Sequence, residues 1–128
     1  MRNVAEGIQF WCNWNFQVQS CHTLSFTGNY VRNASGGADI WGTGAVGVEI
    51  SDNDVDGAGD VALDCEWCTG VVIARNVVRN GHNAGISLFL SCRDVLIAEN
   101  TVGPPRSPPH SHTHTPPPPP HNSSTAAA

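Results

Sequence analysis

The sequence predicts an all-β solenoid, a stack of short coils each too small to close a core of its own. Three observations lead there. Asparagine recurs at Asn29, Asn53, Asn76 and Asn100, at intervals of 24, 23 and 24 residues. Apolar residues hold fixed places around it: Leu24, Val48, Val71 and Val95 five residues before, Phe26, Ile50, Ile73 and Ile97 three before, and Val31, Val55, Val78 and Val102 two after. Small or polar residues alternate with them at Thr27, Ser51, Ala74 and Ala98. A period of two belongs to strands, and the β-branched and aromatic residue types agree. A helix would need apolar residues at steps of three and four, which these segments do not provide.

A unit of this length cannot bury its apolar face alone, so the units must stack and share one core. Stacked strands lie about 4.8 Å apart, which makes four coils a column roughly 20 Å tall. Asparagine suits the turn between two such strands for two reasons. It tolerates left-handed backbone angles, and its amide can bond turn backbone or the equivalent amide of the next coil. Asn29, Asn53, Asn76 and Asn100 are thus expected to form an asparagine ladder.

The segments Val48-Glu-Ile-Ser-Asp-Asn53-Asp-Val55, Val71-Val-Ile-Ala-Arg-Asn76-Val-Val78 and Val95-Leu-Ile-Ala-Glu-Asn100-Thr-Val102 carry the repeat, with a weaker copy from Leu24 to Val31. A second element, Gly-Ile followed by alternation, stands at Gly7-Ile8-Gln-Phe10 and Gly85-Ile86-Ser-Leu88, and more loosely at Asp39-Ile40 and Asp60-Val61. Together these resemble the right-handed parallel β-helix repeat of the pectate-lyase-like superfamily, over residues 1 to about 103. The resemblance implies a right-handed parallel β-helix of about four coils. It also implies a polysaccharide partner and an extracellular or cell-surface setting. Its members include polysaccharide lyases, glycoside hydrolases, uronan epimerases and non-enzymatic surface proteins, so the resemblance specifies fold better than reaction.

Composition narrows the field. The chain has 128 residues and carries six basic residues, all arginine, which excludes a lysine Schiff base and a lysine-bearing phosphate loop. A formal charge of −5 with no basic stripe argues against nucleic acid. No run of 18 apolar residues offers a membrane span, and the opening residues lack the apolar stretch of a secretion signal. Residues 1–103 read as coils. Residues 104–128, rich in proline and histidine, read as a disordered low-complexity tail. The coil pattern is already running at Gly7, without the capping element that solenoids need. The chain therefore reads as a piece of a longer β-helix, with open coil edges capable of end-to-end self-association.

Several local motifs have structural competitors. Asp52-Asn-Asp54-Val-Asp56-Gly57 matches the opening of an EF-hand calcium loop, but Leu63 stands where the bidentate glutamate belongs and strands replace the flanking helices. A solvated turn accounts for it better, so neither a metal nor a cofactor is assigned. Cys65-Glu-Trp-Cys68 has neither a second C-x-x-C nor βαβ surroundings. Cys21, Cys68 and Cys92 each stand eight residues before a ladder asparagine, which predicts a corner stack of small buried thiols rather than a disulfide or metal site. His110, His112, His114 and His121 in the tail could bind a transition metal weakly but read as incidental. Asn33 and Asn122 fit the short N-glycosylation pattern, which matters only for a secreted parent.

Function is expected on the outward face of the strands that follow the Gly-Ile element. If Ile8, Phe10 and Cys12 point inward, Gln9, Trp11 and Asn13 point outward. The next coils add Asp39 and Trp41, then Asp60, Ala62 and Asp64, then Ser87 and Phe89. Such a strip sets aromatic rings beside carboxylates. Sugar rings pack their C–H faces on indole while their hydroxyls bond carboxylates, which makes Trp11, Trp41, Asp39, Asp60, Asp64 and Phe89 the candidate carbohydrate-binding residues. Glycoside hydrolysis needs two carboxyl groups about 5 to 9.5 Å apart. Adjacent coils and alternate residues of one strand both satisfy that spacing, so Asp39, Asp60 and Asp64 are catalytic candidates, joined by Glu66 if a bulge near Trp67 adjusts the register. Lyase chemistry would draw its base from an arginine, His22 or His82, neither histidine having an evident partner. The competing reading leaves these acids as a wet face that keeps the column soluble. Two functions therefore stand: a polysaccharide-binding or polysaccharide-processing segment, with catalysis completed outside this chain, and a non-enzymatic scaffold or adhesion solenoid.

Overall fold

The computed structural model describes residues 7–12 and 19–104, and every helix or strand among them is a β-strand. Numbered in chain order, the twelve strands sort into three parallel sheets of four. The first contains β1 (Ile8–Trp11), β4 (Ile40–Thr43), β7 (Val61–Glu66) and β10 (Ala84–Phe89). The second contains β2 (Cys21–Thr27), β5 (Ala45–Ser51), β8 (Thr69–Ala74) and β11 (Arg93–Ala98). The third contains β3 (Tyr30–Arg32), β6 (Asp54–Asp56), β9 (Val77–Arg79) and β12 (Thr101–Val102). Each coil gives one strand to each sheet, so strands paired side by side are about one repeat apart in sequence.

The registers carry out the stacking that the repeat demands. Phe26, Ile50, Ile73 and Ile97 lie side by side in the second sheet, and Val31, Val55, Val78 and Val102 in the third. In the first sheet the apolar column is Ile8, Ile40, Leu63 and Ile86. The sequence pattern set Asp60-Val61 level with Gly7-Ile8. The register instead places Leu63 level with Ile40, two residues later, because the apolar face of β7 meets the core there. Gly42 is needed beside Phe10: a Cβ there would come within 2.4 Å of the Phe10 ring, which itself stacks on Phe26 at 5.3 Å.

Ile40, Ile50, Leu63 and Ile73 are wholly buried, and each such side chain stabilises the stack by about 1.5 to 3 kcal/mol. The Ile50 and Ile73 column opens in the last coil, with Ile97 48% exposed. The core is therefore sealed in the middle coils and thins towards β11 and β12.

The asparagine ladder is present. The Nδ2 groups of Asn29, Asn53 and Asn76 donate to Oδ1 of Asn53, Asn76 and Asn100 at 3.0, 2.9 and 2.9 Å. The backbone N–H of each donor residue reaches the same oxygen at 2.9, 3.0 and 2.9 Å. The second amide hydrogen of Asn53, Asn76 and Asn100 goes to the carbonyls of Phe26, Ile50 and Ile73, each at 2.8 Å. At Asn53 and Asn76 both side-chain donors and the acceptor are satisfied inside the protein, which makes burial of these amides tolerable. The left-handed backbone falls elsewhere than expected: Gly28, Asp52, Arg75 and Glu99, one residue before each asparagine, have φ of 66°, 58°, 55° and 56°. The amide, not a tolerance of positive φ, is what the position requires of asparagine.

The acidic turn beside the ladder is neutralised from within. Asp52 receives two hydrogen bonds from Arg75, both at 2.9 Å, and these hold its carboxyl below the ordinary value. Burial works against ionisation of Asp54, but Arg79 and Arg32 outweigh it and lower its pKa as well. Asp56 meets Arg32 and Asn80. These carboxylates answer arginines and an amide rather than a shared cation position.

Candidate functional site

The first sheet brings two outward columns together. Gln9, Trp41, Asp64 and Ser87 lie side by side, as do Trp11, Thr43, Glu66 and Phe89. Trp11 sets its ring edge-on to Trp41, with centroids 4.8 Å apart, and its Nε1 donates to Gln9 Oε1 at 3.3 Å. Trp11 and Phe89 remain nearly half exposed. Glu66 joins the face through plain alternation with Asp64, without a bulge.

Trp41, Asp60, Asp64 and Glu66 line one cleft of about 280 Å³, whose rim is the turn from Gly36 to Ala38. That turn is fixed by the coil beside it: Gly59 N–H donates to the Ala34 carbonyl at 2.7 Å and Asp60 N–H to the Gly37 carbonyl at 3.1 Å. Gly59 permits the approach, since a Cβ there would stand 2.2 Å from the Ser35 carbonyl oxygen. This rim is not evident from the strand alternation, and its one signal in the sequence is the Gly36-Gly37 pair between two strands.

Asp64 is 93% buried by its 7% exposure, and its Oδ1 has no hydrogen-bond partner. Burial first, then the nearby Glu66 and Asp60 carboxylates, push its pKa up to about 7, against a weaker pull from the Cys65 amide. Below that pH the group is a neutral acid able to donate a proton. The Trp41 indole N–H is also buried without a partner, whereas Asp60 accepts a hydrogen bond from Asn83 Nδ2. Asp64 and Glu66, alternate residues on β7, have Cα atoms about 6.5 to 7 Å apart by strand geometry.

Asp39 belongs to a different environment. It was expected on the wet face, yet it is fully buried and does not line the cleft. Both its carboxylate oxygens lack a hydrogen-bond partner, although the Ala34 amide lies close enough to favour the charge weakly. Burial, then the Asp56 carboxylate, raise its pKa to about 7, with Arg32 opposing. Asp39 and Asp64 thus do not form a wet face, whereas Asp60 is exposed. His22 on β2 and His82 before β10 do not line the cleft, and Asn13 lies outside the described residues.

A family model described as "Right handed beta helix region" matches residues 3–103, most of the chain and the whole stack of coils. The chain belongs to the right-handed β-helix family. No curated protein and no solved structure gives a match.

In this β-helix the cysteines divide in two. Cys12 and Cys21 form a disulfide that joins the end of β1 to the start of β2, which corrects the expectation of a wholly reduced set and of a stack beginning at Cys21. Their side chains meet because β1 and β2 flank one corner, a closeness that spacing alone does not reveal. Cys68 and Cys92 do stack, the Cys68 N–H donating to Cys92 Sγ at 3.4 Å. The Cys65 thiol beside Cys68 raises its pKa to about 11, and Cys68 in turn raises Cys92 further. Thiols held protonated in this way make poor nucleophiles and poor metal ligands. Among the described residues no cluster of three or more histidine, cysteine or acidic side chains is placed to hold a metal. The tail histidines His110, His112, His114 and His121, the Asn122 acceptor motif and the expected tail disorder all lie outside the described residues.

Proposed function

We propose that this β-helix binds an extended polysaccharide along the sheet of β1, β4, β7 and β10, with the Trp41, Asp60, Asp64 and Glu66 cleft seating one sugar ring. The observation that carries this reading is Asp64: a carboxyl group nine-tenths buried, with an unpartnered oxygen, lining a cleft beside an unpartnered indole N–H. Buried polar atoms are normally paired, and those left unpaired in a cleft suit a ligand that supplies the missing hydroxyl groups. Trp11 and Phe89 extend the apolar surface to neighbouring coils, as a chain of sugars requires. The disulfide accords with an oxidising compartment, where such polymers are met.

The same carboxyl groups fit glycosidic-bond hydrolysis. Asp64 would protonate the leaving oxygen, and Glu66, two residues along the same strand with its Cα about 6.5 to 7 Å away, would serve as the second carboxylate. The test is a panel of neutral, cationic and anionic oligosaccharides, scored for binding and for release of new reducing ends. Binding that falls at least about tenfold in Trp41→Ala supports the reading, because indole packing carries much of sugar affinity. A scaffold without a glycan site would bind no member of the panel.

A further inference from the structure

The cleft holds three carboxyl groups, and among the described residues no arginine lines it. Each described arginine is placed elsewhere. Arg32 and Arg79 are bound to the acids of β6, and Arg75 to Asp52. Arg93 lines a separate cleft with Gln19, Trp67, Thr69 and Ser91. A uronate carboxylate entering the cleft would meet only like charge from the ionised carboxylates, at short range where salt screens little. A neutral sugar gains hydrogen bonds but no ionic attraction. A sugar bearing a protonated amine gains both, since an ammonium has three donors and no acceptor and matches carboxylate oxygens in want of protons.

We infer that, on the glycan-binding reading above, the preferred ligand is a polymer of 2-amino sugars with free amines, and that uronate polymers are excluded. Asp60 and Glu66 supply the attracting charge, while Asp64 and the Trp41 indole hold the ring. A ligand ammonium would also favour ionisation of Asp64, which is otherwise opposed by its burial and by its acidic neighbours.

Isothermal titration of the full chain at a pH of about 6, where sugar amines are protonated, tests this with three tetrasaccharides. One is a β-1,4-linked glucosamine tetramer, one its fully N-acetylated counterpart of the same length and linkage, and one a galacturonic acid tetramer. The glucosamine tetramer should bind at least about tenfold tighter than the acetylated one, and the advantage should shrink as salt rises. Glu66→Gln should remove most of that advantage by weakening the glucosamine tetramer far more than the acetylated one, and Trp41→Ala should weaken both. Equal affinity for the two tetramers, or tighter binding of the galacturonate, would overturn the amine preference and leave the glycan reading standing. If none of the three binds, both fall. Because the whole chain carries net negative charge, amine binding that survives both substitutions would assign the attraction to the general surface and overturn the cleft as its site. Should Glu66→Gln fail to fold, Asp60→Asn, at an exposed residue of the same cleft, carries the same test.

Discussion

Two columns of buried polar groups run up this β-helix, and they are treated in opposite ways. At the ladder corner, Asn53 and Asn76 use every side-chain donor and acceptor within the protein. On the first sheet, Trp41 and Asp64, side by side in the register, both have buried atoms without hydrogen-bond partners. The same coils build both. A satisfied buried network rigidifies and stabilises a fold, whereas unsatisfied groups carry a free-energy cost. One column therefore belongs to stability, and the other bears a cost that, on the glycan-binding proposal, a bound ligand would offset.

The contrast can be broken most forcefully at the ladder. Asn76→Ala removes one rung and strands the buried donors of Asn53, so it should lower stability by about 3 kcal/mol or more. Urea denaturation measures this, and a loss under about 1 kcal/mol would mean the ladder is not a stabilising column. Asn29, at the open end of the ladder, should cost less when replaced in the same way.

The pH dependence of stability probes the two buried carboxyl groups, Asp64 in the other column and Asp39 apart from it. Asp39 and Asp64 have folded pKa values of about 7, above the ordinary 3.8, so the folded state holds protons that the unfolded chain has released between those values. Stability is thus fully present below the unfolded pKa and is lost as pH rises from about 4 through 7, then levels off. Asp39→Asn and Asp64→Asn should each flatten that decline. Thermal melts at acidic and mildly alkaline pH would show each variant gaining on the wild type only at the higher pH. An identical pH profile for wild type and variants would show that these carboxyls ionise freely in the fold.

Trp41→Ala should separate the columns, cutting glycan affinity at least about tenfold while leaving cooperative unfolding intact. The smallest effect is expected at Glu99, whose left-handed backbone is the one Gly28 adopts in the first coil. Glu99→Gly should stabilise the chain by about 0.5 kcal/mol, the relief of left-handed strain being partly offset by the greater freedom of glycine in the unfolded chain. A loss of stability would show that the glutamate side chain contributes more than the backbone strain costs.

The fold was legible because stacking forces like onto like. Each coil meets its neighbour at the same positions, so the apolar columns and the asparagines repeat in the sequence as they do in space. The left-handed corner was not legible, since Gly28, Asp52, Arg75 and Glu99 share a backbone angle without a common side chain. At the site, Trp41, Asp60 and Asp64 could be placed on one face by alternation, and the cleft does bring them together. The burial of Asp64 and the removal of Asp39 could not be foreseen. Burial there depends on the surrounding loops and neighbouring coils, which alternation does not fix. The Cys12–Cys21 link likewise depends on how one corner turns.

A single two-dimensional ¹H–¹⁵N spectrum displays both columns at once, through the indole N–H of Trp41 and the side-chain amides of Asn53 and Asn76. Titrating the glucosamine tetramer should shift the Trp41 indole signal as its unpartnered N–H gains an acceptor, while the two ladder amides stay where they are. An unmoved indole, or ladder amides that shift as much as the indole does, would contradict the division between a stabilising column and a binding one.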